Sequence, residues 1–97
     1  MSSTLGVTGK ITADAGIDID NFNIDGTTIA LSSGDMTLDA AGDIILDANG
    51  ADVLLKDDGT QYGALTNSSG NLIIKSGTTT ALTFSGADVT IAGDLTI

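Results

Sequence analysis

Residues 42–55 read Gly-Asp-Ile-Ile-Leu-Asp-Ala-Asn-Gly-Ala-Asp-Val-Leu-Leu and contain one short motif twice: an Asp followed by apolar–any–apolar. The alternation is typical of a β-strand with one buried face. The motif, in which Asn can replace Asp, recurs along the chain at 34–38, 42–46, 52–55, 70–74, 87–91 and 93–97. So short a motif, repeated over one small chain, predicts a stack of β-strands and favours a structural protein over an enzyme.

The apolar pairs recur about every eight residues, which suits one short strand and one corner, a unit we term a rung. Three architectures can use it: a single-chain β-helix of about 24 residues per coil, a trimer with one rung per chain in each layer, or an antiparallel meander. By the strand spacing, a single-chain helix would stand only about 20 Å tall with open sheet edges and no caps. Trimeric winding would give about 55 to 60 Å and closed edges. The spacing therefore predicts an all-β fold, an elongated trimeric β-solenoid or β-prism.

The middle of the chain departs from the eight-residue spacing. Turn residues at 57–59 and a four-residue loop at Asn67–Gly70 separate three apolar segments, which predicts an antiparallel meander. We therefore divide the chain into an N-terminal extension at 1–10 and one repetitive β domain at 11–97. That domain has rungs at 11–50, the meander at 51–76 and rungs again at 77–97. The sequence is interpreted as a segment of a longer fibre.

Three strands are apolar on both faces, because Ile45, Leu54 and Ile73 each lie between two further apolar residues. In a lone β-helix these side chains would face water. A continuous apolar run is typical of a strand that is buried on both sides. The pattern predicts a subunit interface at these strands, although single exposed aliphatic residues also occur on ordinary protein surfaces.

The charge is strongly acidic, with 13 acidic residues against 3 basic ones and a net charge of −10. Every acidic residue is Asp, which suits turns because its short side chain bonds to nearby backbone. Such a surface repels phosphate backbones and anionic lipids, so nucleic acid and membranes are not expected partners. No apolar run approaches the roughly 20 residues of a membrane span. The first residues do not resemble a secretory signal.

The chain has no His and no Cys, and it also lacks Glu, so the usual catalytic triads and imidazole bases are unavailable. We expect no catalytic residue, no cofactor and no enzymatic activity. Two weak metal candidates remain. Asn21, Asn23 and Asp25 partly match the opening of a calcium loop. Ser32 stands where that loop would need a bidentate Glu, and the same residues also fit a strand followed by an Asp25-Gly26 turn. Asp corners such as Asp39, Asp43 and Asp47, if stacked in rungs, would attract divalent cations that relieve their repulsion.

Residues 42–60 and 65–77 together resemble repeats in tail-fibre and other virion structural proteins of tailed bacteriophages, especially marine ones. The resemblance covers about residues 17–97 and rests on composition and repetition. It implies a homotrimeric β-structured shaft on the virion, next to other fibre proteins and in some cases a receptor-binding tip. It also implies synthesis in the host cytoplasm without a signal peptide. No functional residue carries over.

The predicted function is a structural shaft segment of a phage tail fibre or a similar virion appendage. One alternative is a module that binds a host receptor or glycan, which clustered aromatic residues would favour. The chain has only two Phe and one Tyr. Another alternative is a bacterial adhesin-like, self-assembling β-solenoid, which coils of about 24 residues with one polar side would favour.

Overall fold

The computed structural model describes residues 3–97, so the first two residues of the expected N-terminal extension lie outside the described part. All regular structure in that part is β-strand. None of its elements is a helix that could cross a membrane. Contacts divide the chain into two units, one ending at Ala41 and the other comprising Gly42–Ile97.

The first unit contains one antiparallel hairpin. Strand β1 (Phe22–Asp25) pairs with β2 (Thr28–Leu31). At the end of the hairpin away from its turn, the backbone amide of Ser32 donates a hydrogen bond to the carbonyl of Asn21 at 3.1 Å. Its turn is Gly26-Thr27, with φ +57° at Gly26. Glycine adopts this conformation at little cost, so the sequence supplies the turn directly.

The second unit is a five-stranded antiparallel meander in which each strand pairs with the next along the chain. Its strands are β3 (Asp52–Asp57), β4 (Thr60–Ser68), β5 (Asn71–Ser76), β6 (Thr79–Ser85) and β7 (Asp88–Ile91). Since every pair is sequential, all strand contacts are local in sequence.

Two-residue turns join all five strands of the meander. Asp58-Gly59 and Ser69-Gly70 have positive φ at both residues, as in type I′ turns, with φ of 50° at Asp58 and 52° at Ser69. Gly77-Thr78 and Gly86-Ala87 have positive φ only at the glycine, which is the type II′ pattern. Both classes match the twist of the flanking strands, so these dipeptides fix the hairpin registers.

The meander contains a structural repeat. Val53 pairs with Leu65, and Leu72 pairs with Phe84, each 19 residues further along. Each hairpin also has one register shift, which leaves Tyr62 on β4 and Ala81 on β6 as extra residues. The hairpins β3–β4 and β5–β6 therefore share one register and one β-bulge.

The meander predicted over 51–76 is present, and it continues further than the sequence analysis placed it. Residues 79–91, assigned there to rungs, form β6 and β7 of the same sheet. The physical reason lies in the Gly77-Thr78 and Gly86-Ala87 turns, which reverse the chain within two residues. A rung would need a corner between strands, whereas these turns bring each strand back antiparallel to its neighbour.

The segments 11–21 and 35–48, where rungs were expected, make no strand ladder within the described chain. They include strongly exposed aliphatic residues, such as Ile45 at 82% exposure. The loop predicted to span the four residues Asn67–Gly70 is shorter in the structure, because Asn67 and Ser68 belong to β4.

Candidate self-association surface

The two faces of the meander differ in chemistry. Successive residues of a strand point to opposite faces, and paired residues share a face. The registers therefore place one row across all five strands on a single face, and every member of it is aliphatic: Val53, Leu65, Ile74, Leu82 and Ile91. A second, partial row on that face has Leu72, Phe84 and Val89 in register.

We define the apolar face of the meander by the large apolar residues of these rows together with Leu55, which follows Val53 at the next position on that face. Its members are Val53, Leu55, Leu65, Leu72, Ile74, Leu82, Phe84, Val89 and Ile91. None of them is buried: Leu72 is 47% exposed and Val89 is 52% exposed. Within Gly42–Ile97 the strands form one sheet, and no second layer of strands covers this face.

The apolar face carries almost no charge, although the whole chain has a net charge of −10. Within the strands of the meander, the one charged residue on this side is Asp57, which is exposed and adjoins the β3–β4 turn. Asp52 and Asp88 begin their strands and belong to the opposite side. The acidic residues thus lie at strand ends and turns, and the middle of the face is free of charge.

The opposite face is mostly polar, and some of its polar side chains form hydrogen bonds within the chain. Its central row contains Thr66, Ile73, Thr83 and Thr90, in register with Asp52 on β3. The Thr66 hydroxyl donates to the carboxylate of Asp52 at 2.7 Å. Ile73 lies between Thr66 and Thr83 in this row and is only 7% exposed, so the large apolar side chain at the centre of this face is already buried.

The three residues whose strands were predicted to be apolar on both faces lie in different environments. Ile73 is buried within the single chain, Leu54 is 47% exposed on the polar side of the sheet, and Ile45 lies outside the strands. Ile73 therefore needs no partner subunit for its burial. Leu65 is not among the predicted apolar pairs, because Gly63 and Asn67 occupy the alternate positions of β4 and interrupt the apolar alternation.

Polar side chains brace the sheet at its turns. The amide nitrogen Nε2 of Gln61 donates to the carbonyl of Gly77 at 2.9 Å. The backbone amide of Gly70 donates to Oδ1 of Asn67 at 2.9 Å, which closes the Ser69-Gly70 turn. In the part of the chain that the structure describes, every buried side-chain nitrogen and oxygen has a hydrogen-bond partner.

The three calcium-loop candidates lie on or beside the first hairpin. Asn23 and Asp25 are two residues apart on β1 and so share one face of it. Asn21 precedes the strand, and its Nδ2 donates to the carbonyl and to the hydroxyl of Ser33 at 3.0 and 2.8 Å. The structure thus uses Asn21 to hold the two ends of the hairpin together. Within residues 3–97, no three acidic, His or Cys side chains form a cluster that could hold a metal ion.

The surface also has two open depressions. One, of about 270 Å³, is lined by Leu65, Thr66, Asn67, Gly70, Asn71 and Leu72, at one end of the apolar face. The other, of about 460 Å³, is lined by Lys56, Asp57 and Tyr62. The apolar face, which spans all five strands of the meander, is the more extensive feature.

Comparison with known proteins gives no match: no family model fits the chain, and no curated protein or solved structure is similar to it.

Proposed function

We propose that this chain is a structural segment of a homotrimeric β-structured shaft, of the kind found in a phage tail fibre or a similar virion appendage. The observation that supports the proposal most strongly is how few apolar residues are buried. Among residues 3–97, only Ala64 and Ile73 are buried apolar residues. Even a domain of about 60 residues normally buries about 60% of the surface that its unfolded chain exposes, so an interior this small favours further burial against partner chains.

The large solvent-accessible surface area of the chain reflects the same lack of buried surface. The chain exposes 8573 Å², whereas a folded monomer of 9.6 kDa is expected to expose about 5,100 Å². About 3,500 Å² per chain thus remains exposed that a folded monomer would bury. This excess favours a chain that completes its interior with other copies of itself.

The size of the excess favours three chains over two. A closed trimer has three pairwise interfaces, so each would bury a total of about 3,500 Å², within the range of obligate interfaces. A dimer would have to bury about 7,000 Å² in one interface, at the large extreme of obligate interfaces, most of which bury 2,000–5,000 Å². The unpaired segments 11–21 and 35–48 contribute to the excess, and partner chains would supply strands for their backbone groups.

The mechanism is mechanical. Apolar layers shared by three chains unfold only when the chains separate, so stability and assembly become one process. Slow unfolding would then protect an extracellular appendage.

Light scattering on the purified chain tests the proposal. We expect a molar mass near three times 9.6 kDa, and a trimer that resists dissociation in mild detergent. A monomer that retains its β-sheet signal would contradict self-assembly. A stable dimer would contradict the trimeric shaft.

A further inference from the structure

We propose that the apolar face of the meander is the surface through which copies of this chain pack, with the apolar faces of the other copies as its occupants. The inference rests on the proposed function, since it names the contact by which the shaft would assemble. It assigns the interface to one side of one sheet and leaves the threonine-rich side in water.

The two faces differ in how much apolar surface they expose. The apolar face presents nine large apolar side chains, and all of them remain at least partly exposed. On the other face the central row is dominated by threonine, Ile73 is already buried, and Leu54 on the edge strand is the exposed aliphatic residue. Covering the apolar face would therefore bury much more apolar surface than covering the other face.

The charge distribution bears on how copies of the chain could meet. Copies with a net charge of −10 repel one another, and this repulsion is weakest where the contacting patch itself carries no charge. The apolar face meets that condition over its whole centre, with Asp57 at one corner. The excess exposed area of the chain also has the size of an obligate interface between identical subunits. A second and third copy are thus the occupants that the charge distribution and the area favour.

Two adjacent residues of β6 provide a matched test. Leu82 lies in the middle of the aliphatic row, and Thr83 lies on the opposite face; both are half-buried on the same interior strand. We expect Leu82→Asp to reduce the solution mass from the trimer to the 9.6 kDa chain. Thr83→Asp should leave the trimer mass unchanged, because its carboxylate would project into water.

A second pair of variants is needed in case both aspartates prevent folding. The chain has no Cys, so a single introduced thiol can be followed with iodoacetamide. Leu65 and Thr90 are both exposed in the single chain, on the apolar and the polar face respectively. In the assembled protein we expect Leu65→Cys to react at least tenfold more slowly than Thr90→Cys, and both to react at similar rates in urea.

The outcomes separate the two proposals. If the unsubstituted chain is a monomer, the proposed self-assembly fails. If it is a trimer, but Thr83→Asp dissociates it while Leu82→Asp does not, the interface assignment is wrong and the shaft proposal stands. Equal alkylation of the two thiols in the assembled protein would also overturn the assignment.

Discussion

A side chain added at Gly63 would contact the neighbouring strand closely. A Cβ added there would lie 3.0 Å from the carbonyl oxygen of Lys75 and 3.6 Å from Cδ1 of Leu55. The nearer atom belongs to the backbone of a paired strand, so it can move only by distorting the β4–β5 ladder. In the second hairpin the corresponding residue is Leu82, which carries a side chain. The close approach of a carbonyl oxygen is therefore specific to the first hairpin. The need for glycine is thus set by the neighbouring strand.

We therefore expect Gly63→Ala to lower the free energy of unfolding by about 1 to 3 kcal/mol, the usual effect of overpacking. Gly42→Ala is the matched control, since nothing lies within 4 Å of its Cβ and its φ is not positive. Urea unfolding at one fixed chain concentration measures both. Equal unfolding midpoints for the two variants would show that the close approach at Gly63 has no energetic weight.

At the scale of the element, the two-residue turns decide which strands pair. Ser69 has φ of +52°, a left-handed conformation that costs most residues roughly 1 to 2 kcal/mol and costs Asn less. Asn-Gly is also the preferred type I′ dipeptide. The Ser69-Gly70 turn is therefore functional but not optimal, and it can be improved without touching either face of the sheet.

Ser69→Asn should raise the free energy of unfolding by about 0.5 kcal/mol through this turn preference. Thr78→Asn provides the control, because Thr78 is the second residue of a type II′ turn and lacks positive φ. It should give no gain. The comparison requires only denaturation curves at matched concentration, and a gain of the same size from Thr78→Asn would contradict the turn assignment.

The turns also explain how much of the fold the sequence could predict. Apolar alternation identified the pairs Val53/Leu55 and Leu72/Ile74, which lie on one face. The same alternation recurs at 79–91, but it is identical for a rung and for a meander strand. Only the Gly-Thr and Gly-Ala turns distinguish them, and their positive φ values emerge from the structure.

The apolar face was only partly predictable for a related reason. Its membership depends on the bulges at Tyr62 and Ala81, which realign the strands after each register shift. Nothing in the residue types at these positions distinguishes a bulge from a regular strand. The charge-free centre of the face likewise becomes visible only once the registers are known.

For the whole molecule, the proposed trimer sets apolar association against like-charge repulsion. Each chain would bring a net charge of −10 to it. Repulsion among acidic residues at the turns is screened by salt, since the Debye length falls from about 30 Å at 0.01 M to about 10 Å at 0.1 M ionic strength. The repulsion should therefore weaken over that range while the apolar contacts persist.

We expect the thermal unfolding midpoint to rise when sodium chloride is increased from about 0.01 to 0.1 M, because screening relieves the repulsion among the chains. Potassium chloride at equal ionic strength should give the same rise if screening is the cause. A midpoint that falls with salt would show that ion pairs, and not repulsion, dominate the electrostatics of the assembly.

Our claim is that the fold of this chain is completed by its own copies. It is tested by serial dilution at a fixed, mildly denaturing concentration of urea, equilibrated and followed in parallel by sedimentation mass and by far-ultraviolet circular dichroism. The claim predicts that the trimer mass and the β-sheet signal disappear together over one range of concentration. A β-sheet signal that persists unchanged in samples whose mass is that of a single 9.6 kDa chain would contradict it.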